Sequence, residues 1–327
     1  MRLPQRALAT ASAAAVLALS VTACSGSDSA DGTTKIHFGY ISDYNGASLL
    51  AIAEQQGLWK KQGLAPDLKV FTNGPLQITA LGAGDLDFGY IGPGAVWLPA
   101  SGKAKVIAID TLTYADRVIA QPGITSMDGL KGKKVGYPAG TSGEMVLNLA
   151  LQHAGLTMKD INAVPMDPAT IVPAFVSGQI DGAGIWYPLL DTIKARKPGL
   201  VEVASTRDFT GKAFPTAFVS GEKTGTALTD KVLTVLAQAN DWRSAHPDEA
   251  IAEAASLLKV DKAKVAADAK NVQTMSTADL VAKTKDGTVA GWLKGLTDFF
   301  VSTGQLKTSP DPSTYYTGDL YTKAAAK

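Results

Sequence analysis

The stretch from Gly136 to Gly155, GYPAGTSGEMVLNLALQHAG, constrains the fold more than any other. A β-type run, Lys134-Val135-Gly136-Tyr137, stops at Pro138, and a polar, glycine-containing loop follows. Leu147, Ala150, Leu151 and Ala154 then recur at i, i+3, i+4 and i+7, which makes one apolar helical stripe. Thr141 and Glu144 have capping-box spacing for the helix start, and Gly155 suits a left-handed stop. A strand that feeds a helix through such a loop leaves backbone N–H groups pointing outward, where an electronegative group can dock. Moving back by 97 residues gives the same frame: Gly39-Tyr40, Gly46, Leu50, Ala53 and Gln55 align without gaps onto Gly136-Tyr137, Gly143, Leu147, Ala150 and Gln152. A second echo, at an offset of 94, matches Gly84-Asp85-Leu86-Asp87 to Gly178-Gln179-Ile180-Asp181. Two ordered echoes at nearly one offset predict an internal repeat: two similar α/β lobes, each turning a helix N-terminus toward a shared space.

The rest of the chain fits that frame. Lys35–Ile41 alternates as a strand, a helix runs from about Ala47 to Lys61, and Asp67–Phe71, Leu76–Ala83, Asp87–Ile91 and Lys105–Leu112 continue the alternation. Such order predicts a mostly parallel sheet with helices on its faces. Tyr114–Ala120 reads as a hinge crossing. In the second lobe, Ala163–Met166 is a strand, and Asp167-Pro168 starts a helix, with the Asp as cap. Pro173 interrupts that helix and should bend it. Gly182–Trp186 is a strand, Tyr187–Ala195 a helix and Leu200–Ala204 a strand. Phe214–Val219 returns the chain to the first lobe. Helices follow at 230–244, 247–258, 261–271 and 288–303; the wide apolar face of the last packs on the first lobe. The tail with Pro310 and Pro312 reads as loop.

The N-terminus is set aside before fold reasoning. Arg2 and Arg6 precede a small-residue apolar run, Ala7–Val21, and Val21-Thr22-Ala23-Cys24 resembles the lipobox of bacterial lipoproteins, whose cysteine is lipidated. The run is short for a membrane span, and no charged stop-transfer flank follows it. Cleavage before Cys24 leaves 304 residues and takes the formal charge from +1 to −1. That balance, with no basic run, gives no footprint for nucleic acid. Cys24 is the only cysteine, and the three histidines are scattered, so thiolate or histidine metal sites and cysteine nucleophiles are not expected.

No catalytic motif is present, and Asp85 and Asp87 would point to opposite faces of a strand. Four strand-end loops offer binding instead, because open α/β sheets bind ligands at the carboxyl ends of their strands. Asp43-Tyr44-Asn45 is either an Asx-type turn that caps the next helix or a ligand loop. Gly92-Pro93-Gly94 is either a plain turn or bare backbone against a ligand. Thr141 and Ser142 bring two hydroxyls to a helix N-terminus, with Glu144 as cap or contact. Trp186-Tyr187 follows a strand directly, and one of the two is expected to wall a pocket.

The run Val164-Pro165-Met166-Asp167-Pro168-Ala169, then Gly178-Gln179-Ile180-Asp181-Gly182-Ala183, Trp186 and Pro188, resembles the solute-binding proteins of ABC importers. The taurine, aliphatic-sulfonate and nitrate type is the nearest group. Gly57-Leu58-Trp59 and Leu130-Lys131-Gly132-Lys133 fit it as well. The resemblance implies a type II periplasmic-binding fold: α/β, two doubly wound lobes joined by two hinge crossings, with extra C-terminal helices. It divides the chain into a signal peptide (1–23), a flexible tether (24–34), lobe 1 (35–115 plus 217–327) and lobe 2 (116–216). It implies a monomeric, lipid-anchored receptor on the outer face of the cytoplasmic membrane, with no cofactor. That receptor traps one small molecule, first choice a sulfonate or taurine-like compound, and passes it to a membrane permease. The implied contacts are Asp43, Tyr44, Asn45, Gly94, Thr141, Ser142, Trp186 and Thr216. Departures from the pattern are Pro93 and Gly94 in place of serines, Glu144 in place of a neutral residue, and Phe218 where taurine-type relatives carry an acid for the ligand amine. A heterocycle of the thiamine-precursor pyrimidine kind is the rival ligand, and an enzyme on the same fold is a rival class.

Overall fold

The computed structural model describes residues 32–327. The expected signal peptide, Cys24 and the tether as far as residue 31 lie outside the described residues. The chain enters on β1 (Thr34–Ile41) and α1 (Tyr44–Gln55), then α2 (Leu58–Lys61), β2 (Leu64–Phe71), α3 (Gly74–Ala83), β3 (Phe88–Ile91), α4 (Trp97–Ala100) and β4 (Lys105–Thr113). After Tyr114-Ala115 come β5 (Asp116–Ala120), β6 (Lys134–Tyr137), α5 (Ser142–His153), β7 (Asn162–Pro165), α6 (Pro168–Val176), β8 (Gly182–Trp186), α7 (Leu189–Arg196) and β9 (Val201–Ser205). Residues 206–214 lead back to β10 (Pro215–Ser220). The C-terminal part holds α8 (Thr226–Ala245), α9 (Pro247–Leu258), α10 (Lys262–Ala269), β11 (Val272–Thr274), α11 (Thr277–Lys285), α12 (Thr288–Ser302) and α13 (Gly318–Ala324).

Two sheets result, in the orders β11-β4-β10-β3-β1-β2 and β7-β6-β8-β5-β9. Their plans coincide. The trios β2-β1-β3 and β7-β6-β8 are parallel. Beside each trio runs an antiparallel strand that has just crossed from the other sheet, β10 in the first and β5 in the second. The faint sequence echoes are therefore architectural: α1 and α5 have 12 residues each, and the 94-residue shift carries Phe88 of β3 onto Gly182 of β8.

Several expectations change. The sheets are mixed rather than mostly parallel, because each crossing strand enters its host sheet running backwards. Most of the expected hinge, Tyr114–Ala120, is β5, so only two residues link β4 to it. Helix α1 begins at Tyr44, three residues early, because Asp43 caps it. Asp167 makes no side-chain cap bond, and Pro168 alone opens α6. The tail is not all loop: α13 packs on α8 and α11, and Tyr316 bridges to Val106 of β4.

Aromatic rings lock the first sheet. Phe38 of β1 stacks on Phe88 of β3 at 5.7 Å and meets Phe218 of β10 edge-on at 5.9 Å. Burying each such ring stabilises the fold by roughly 1.5–3 kcal/mol. Behind them, Arg243 of α8 forms a buried pair with Asp110 of β4 at 2.7 Å and donates to Ser48 of α1 at 3.0 Å, which fixes α1 against the sheet. Buried apolar side chains form two clusters that do not divide along the sheets. One runs from the first sheet into α5 and Val118 of β5; the other, with Ile171, Phe175 and Ile185, belongs to the second sheet.

Candidate ligand-binding site

The parallel trios point their carboxyl ends at one another, and the loops there enclose a cavity of about 40 Å³. Asp43 and Asn45 reach it from the end of β1, Asn73 and Gly74 from β2, Gly92 and Pro93 from β3, Thr141 and Ser142 from β6, and Trp186 and Tyr187 from β8. Tyr90, Thr113, Asp116 and Thr216 complete the wall from strands or their ends.

Three helices aim their N-termini at this space. At α1, the Asp43 carboxylate accepts from the Gly46 N–H (2.6 Å) and Asp268 of α10 accepts from the Tyr44 N–H (2.7 Å). At α3, the Asn73 side chain accepts from the Leu76 N–H (3.0 Å). At α5, the Thr141 hydroxyl accepts from the Gly143 N–H (3.2 Å) and donates to the Pro138 carbonyl (2.7 Å). On the cavity wall each cap leaves one first-turn amide over: the N–H groups of Asn45, Gly74 and Ser142 have no acceptor among the described residues. Three positive helix ends with unclaimed donors suit an anionic or strongly electronegative group.

Side chains around the cavity are held in place. Asn45 accepts from Thr111 (2.8 Å), whose hydroxyl also pairs with that of Thr216 (2.9 Å). Tyr187 is pinned by Lys194, which donates to its hydroxyl at 2.6 Å, and by the Arg117 guanidinium over its ring at 5.3 Å. Glu202 joins both cations, at 2.5 Å to Lys194 and 2.7 Å to Arg117; burial raises its pKa, but these partners outweigh it and hold the carboxyl below its ordinary range.

Nine of the residues singled out from sequence meet at the cavity: Asp43, Asn45, Gly92, Pro93, Thr141, Ser142, Trp186, Tyr187 and Thr216. Three do not line it. Tyr44 is buried in the core. Gly94 lies against Ser142, to whose hydroxyl its N–H donates at 3.1 Å. Glu144 forms no capping box; its carboxylate accepts from the Gly140 N–H (2.6 Å) and from Gln305 (3.1 Å). Residues missed from sequence include Asn73, Gly74, Tyr90 and Asp116. Asn73-Gly74-Pro75 did carry a signal, a capping Asn followed by Pro in the first turn. Asp116 carried none, because its strand looked like a linker.

Two acidic residues, Asp43 and Asp116, line the cavity, and among the described residues no Lys, Arg or His does. Burial raises the Asp116 carboxyl to about 7 despite Arg117 beside it, and its Oδ2 has no hydrogen-bond partner. Burial, then the neighbouring Asp268, pushes Asp43 well above the usual carboxylate range. Phe218, where the pattern expects an acid, has its ring in the core, and Asp116 stands on the wall from another strand. Among the described residues no cluster of three or more His, Cys, Asp or Glu could hold a metal ion.

The family described as NMT1/THI5 like matches residues 47–250, a span that includes β3, both crossings and all of the second sheet. The chain belongs to the NMT1/THI5-like family. It is 51% identical over 291 residues to a Brucella abortus protein provisionally named a binding protein, covering 88% of this chain and 91% of that one. An aliphatic sulfonates-binding protein of Bacillus subtilis, also named provisionally, is 28% identical over 240 residues (70% and 72% of the two chains). The taurine-binding periplasmic protein of Escherichia coli is 25% identical over 138 residues, 41% of this chain and 43% of that one. In structure, the chain matches the alkanesulfonate-binding protein SsuA of Xanthomonas axonopodis pv. citri, bound to MOPS, with a TM-score of 0.68 at 22% identity, over 86% of this chain and 97% of that one. The fold of this family member is that of the periplasmic binding proteins, and the relatives named above are binding proteins.

Proposed function

We propose that this protein is an extracytoplasmic receptor that captures one small organic solute, first choice a sulfonate or taurine-like compound, and delivers it to an ABC importer. The observation that carries this reading is the set of three helix N-termini, with unclaimed amides of Asn45, Gly74 and Ser142, around one cavity between two sheets. The names of the taurine- and sulfonate-binding relatives support the ligand class. In this reading residues 35–115 with 217–327 and residues 116–216 are two lobes that close on the solute by a hinge motion, and the closed form is what a membrane permease recognises. Cys24 carries the lipid that holds the monomer to the outer face of the cytoplasmic membrane, and the protein turns nothing over.

A thermal-shift series over sulfonates, taurine, nitrate, pyrimidines and betaines tests it. Stabilisation by one of these, without chemical change of the compound, is expected. Turnover of a stabilising compound would make the protein an enzyme on this fold. The walls of Tyr90, Trp186 and Tyr187 also favour a flat ring, and a shift with pyrimidines alone would move the ligand class to heterocycles.

A further inference from the structure

We propose that Asp116 is the receptor for a protonated nitrogen on the bound solute, so that the site selects amine-bearing, zwitterionic molecules over plain anions. The inference rests on the binding-protein reading above and narrows its ligand.

Asp116 is 2% exposed and lines the cavity, and its Oδ2 finds no donor. A buried carboxylate without a partner is costly, and proteins retain few of them without a use. The cation next to it in sequence does not serve it. The Arg117 guanidinium is taken by Glu202, by the backbone carbonyls of Tyr114 and Asp116 and by Asn271, at 2.5–3.1 Å. The other carboxylate on the wall, Asp43, already accepts from the Gly46 N–H as the cap of α1. The Oδ2 of Asp116 is therefore a buried wall acceptor left for whatever enters.

The opposite polarity lies across the same small space, in the three first-turn amides. A molecule with an acid at one end and an ammonium at the other matches both, whereas a plain alkanesulfonate would leave Asp116 unpaired. A site built around a hydrogen-bonding partner rejects analogues that lack it far more strongly than a greasy pocket rejects a missing methylene.

Calorimetry on the full chain with taurine and ethanesulfonate, which differ only by the amine, tests this at pH 8, where Asp116 is ionised. Taurine is expected to bind roughly a hundredfold tighter or better, and Asp116→Asn, nearly isosteric, to erase that preference. Equal binding of the two, or a preference untouched by Asp116→Asn, overturns the inference and leaves the receptor reading standing. If neither binds, β-alanine is compared with propionate in the same way. Tight binding of propionate again overturns the inference alone. No binding by any probe counts against the receptor reading and the inference together. A ligand-free readout is independent of the probes: Asp116→Asn should raise the melting temperature at pH 8, because it removes an unpaired buried charge. A lower melting temperature would make Asp116 a structural residue and end the proposal.

Discussion

Gly94 sits so close to Ser142 that a β-carbon added to it would lie 2.1 Å from the Ser142 backbone nitrogen. The two belong to loops from different sheets, Gly94 after β3 and Ser142 after β6. Trp97 donates to the Gly140 carbonyl at 3.2 Å and Gln305 to Glu144 at 3.1 Å nearby, so the halves meet along one rim of the cavity. Only a residue without a side chain permits the approach.

Gly94→Ala should hold that rim apart. Overpacking of a tight contact costs about 1–3 kcal/mol, which corresponds to a loss of ligand affinity of roughly tenfold to a hundredfold. The ligand-free melting temperature should hardly move. Isothermal titration with the best ligand checks the first outcome, and small-angle scattering should show a more open molecule. Undiminished affinity would mean that the contact plays no part in closure.

Stability should fall as pH rises. Asp116 is raised to about 7 and Asp268 to about 6, and Asp43 is also raised. Between the ordinary carboxylate range and these values the folded chain holds protons that the unfolded chain has lost. For Asp116 and Asp268 the stabilisation is therefore full below about pH 4 and gone above about pH 7. Acting alone, Asp116 would contribute about 4 kcal/mol to that difference. Burial sets the Asp116 shift, and Arg117 on its own strand opposes it. Urea unfolding of the ligand-free protein at pH 5 and pH 8 measures the slope, and Asp116→Asn should flatten it. A more stable protein at pH 8 contradicts the prediction.

Arg243→Met should destabilise the protein by about 3–5 kcal/mol, because it strands Asp110 in the core. Asp110→Asn should cost less, since Arg243 keeps Asn240 at 2.7 Å and Ser48. Denaturant midpoints of the two single variants give the comparison, and equal losses would show that the charge pairing itself matters little.

Thr141→Ala should cost about 1 kcal/mol of stability through the lost cap of α5. Thr141→Ser should restore it, because either hydroxyl can bond the Gly143 N–H and the Pro138 carbonyl. A binding loss in Thr141→Ala with stability unchanged would instead assign the hydroxyl to the ligand.

Much of the fold was legible in the residues. The echo of Gly39-Tyr40 in Gly136-Tyr137 marked equivalent strands, and the loops at Asp43, Thr141 and Trp186 do meet at the cavity. Tyr44 and Glu144 share those loops yet miss the cavity. Sequence places a residue near a strand end, but its neighbours decide which way it turns: Asp268 and the core for Tyr44, Gly140 and Gln305 for Glu144.

By itself, the chain determined its local geometry, because caps, glycine stops and apolar stripes act over a few residues. It thereby determined the repeat, the strand–helix alternation and the helix ends that face the cavity. Tertiary structure alone decided which carboxylate those helix ends face. Asp116 lies on a strand whose place in the second sheet depends on pairing with Trp186 and Ser205-side residues of β9, some 70 to 90 positions away. A buried, unpartnered charge is a property of everything packed around it, and no window of the sequence contains that surrounding.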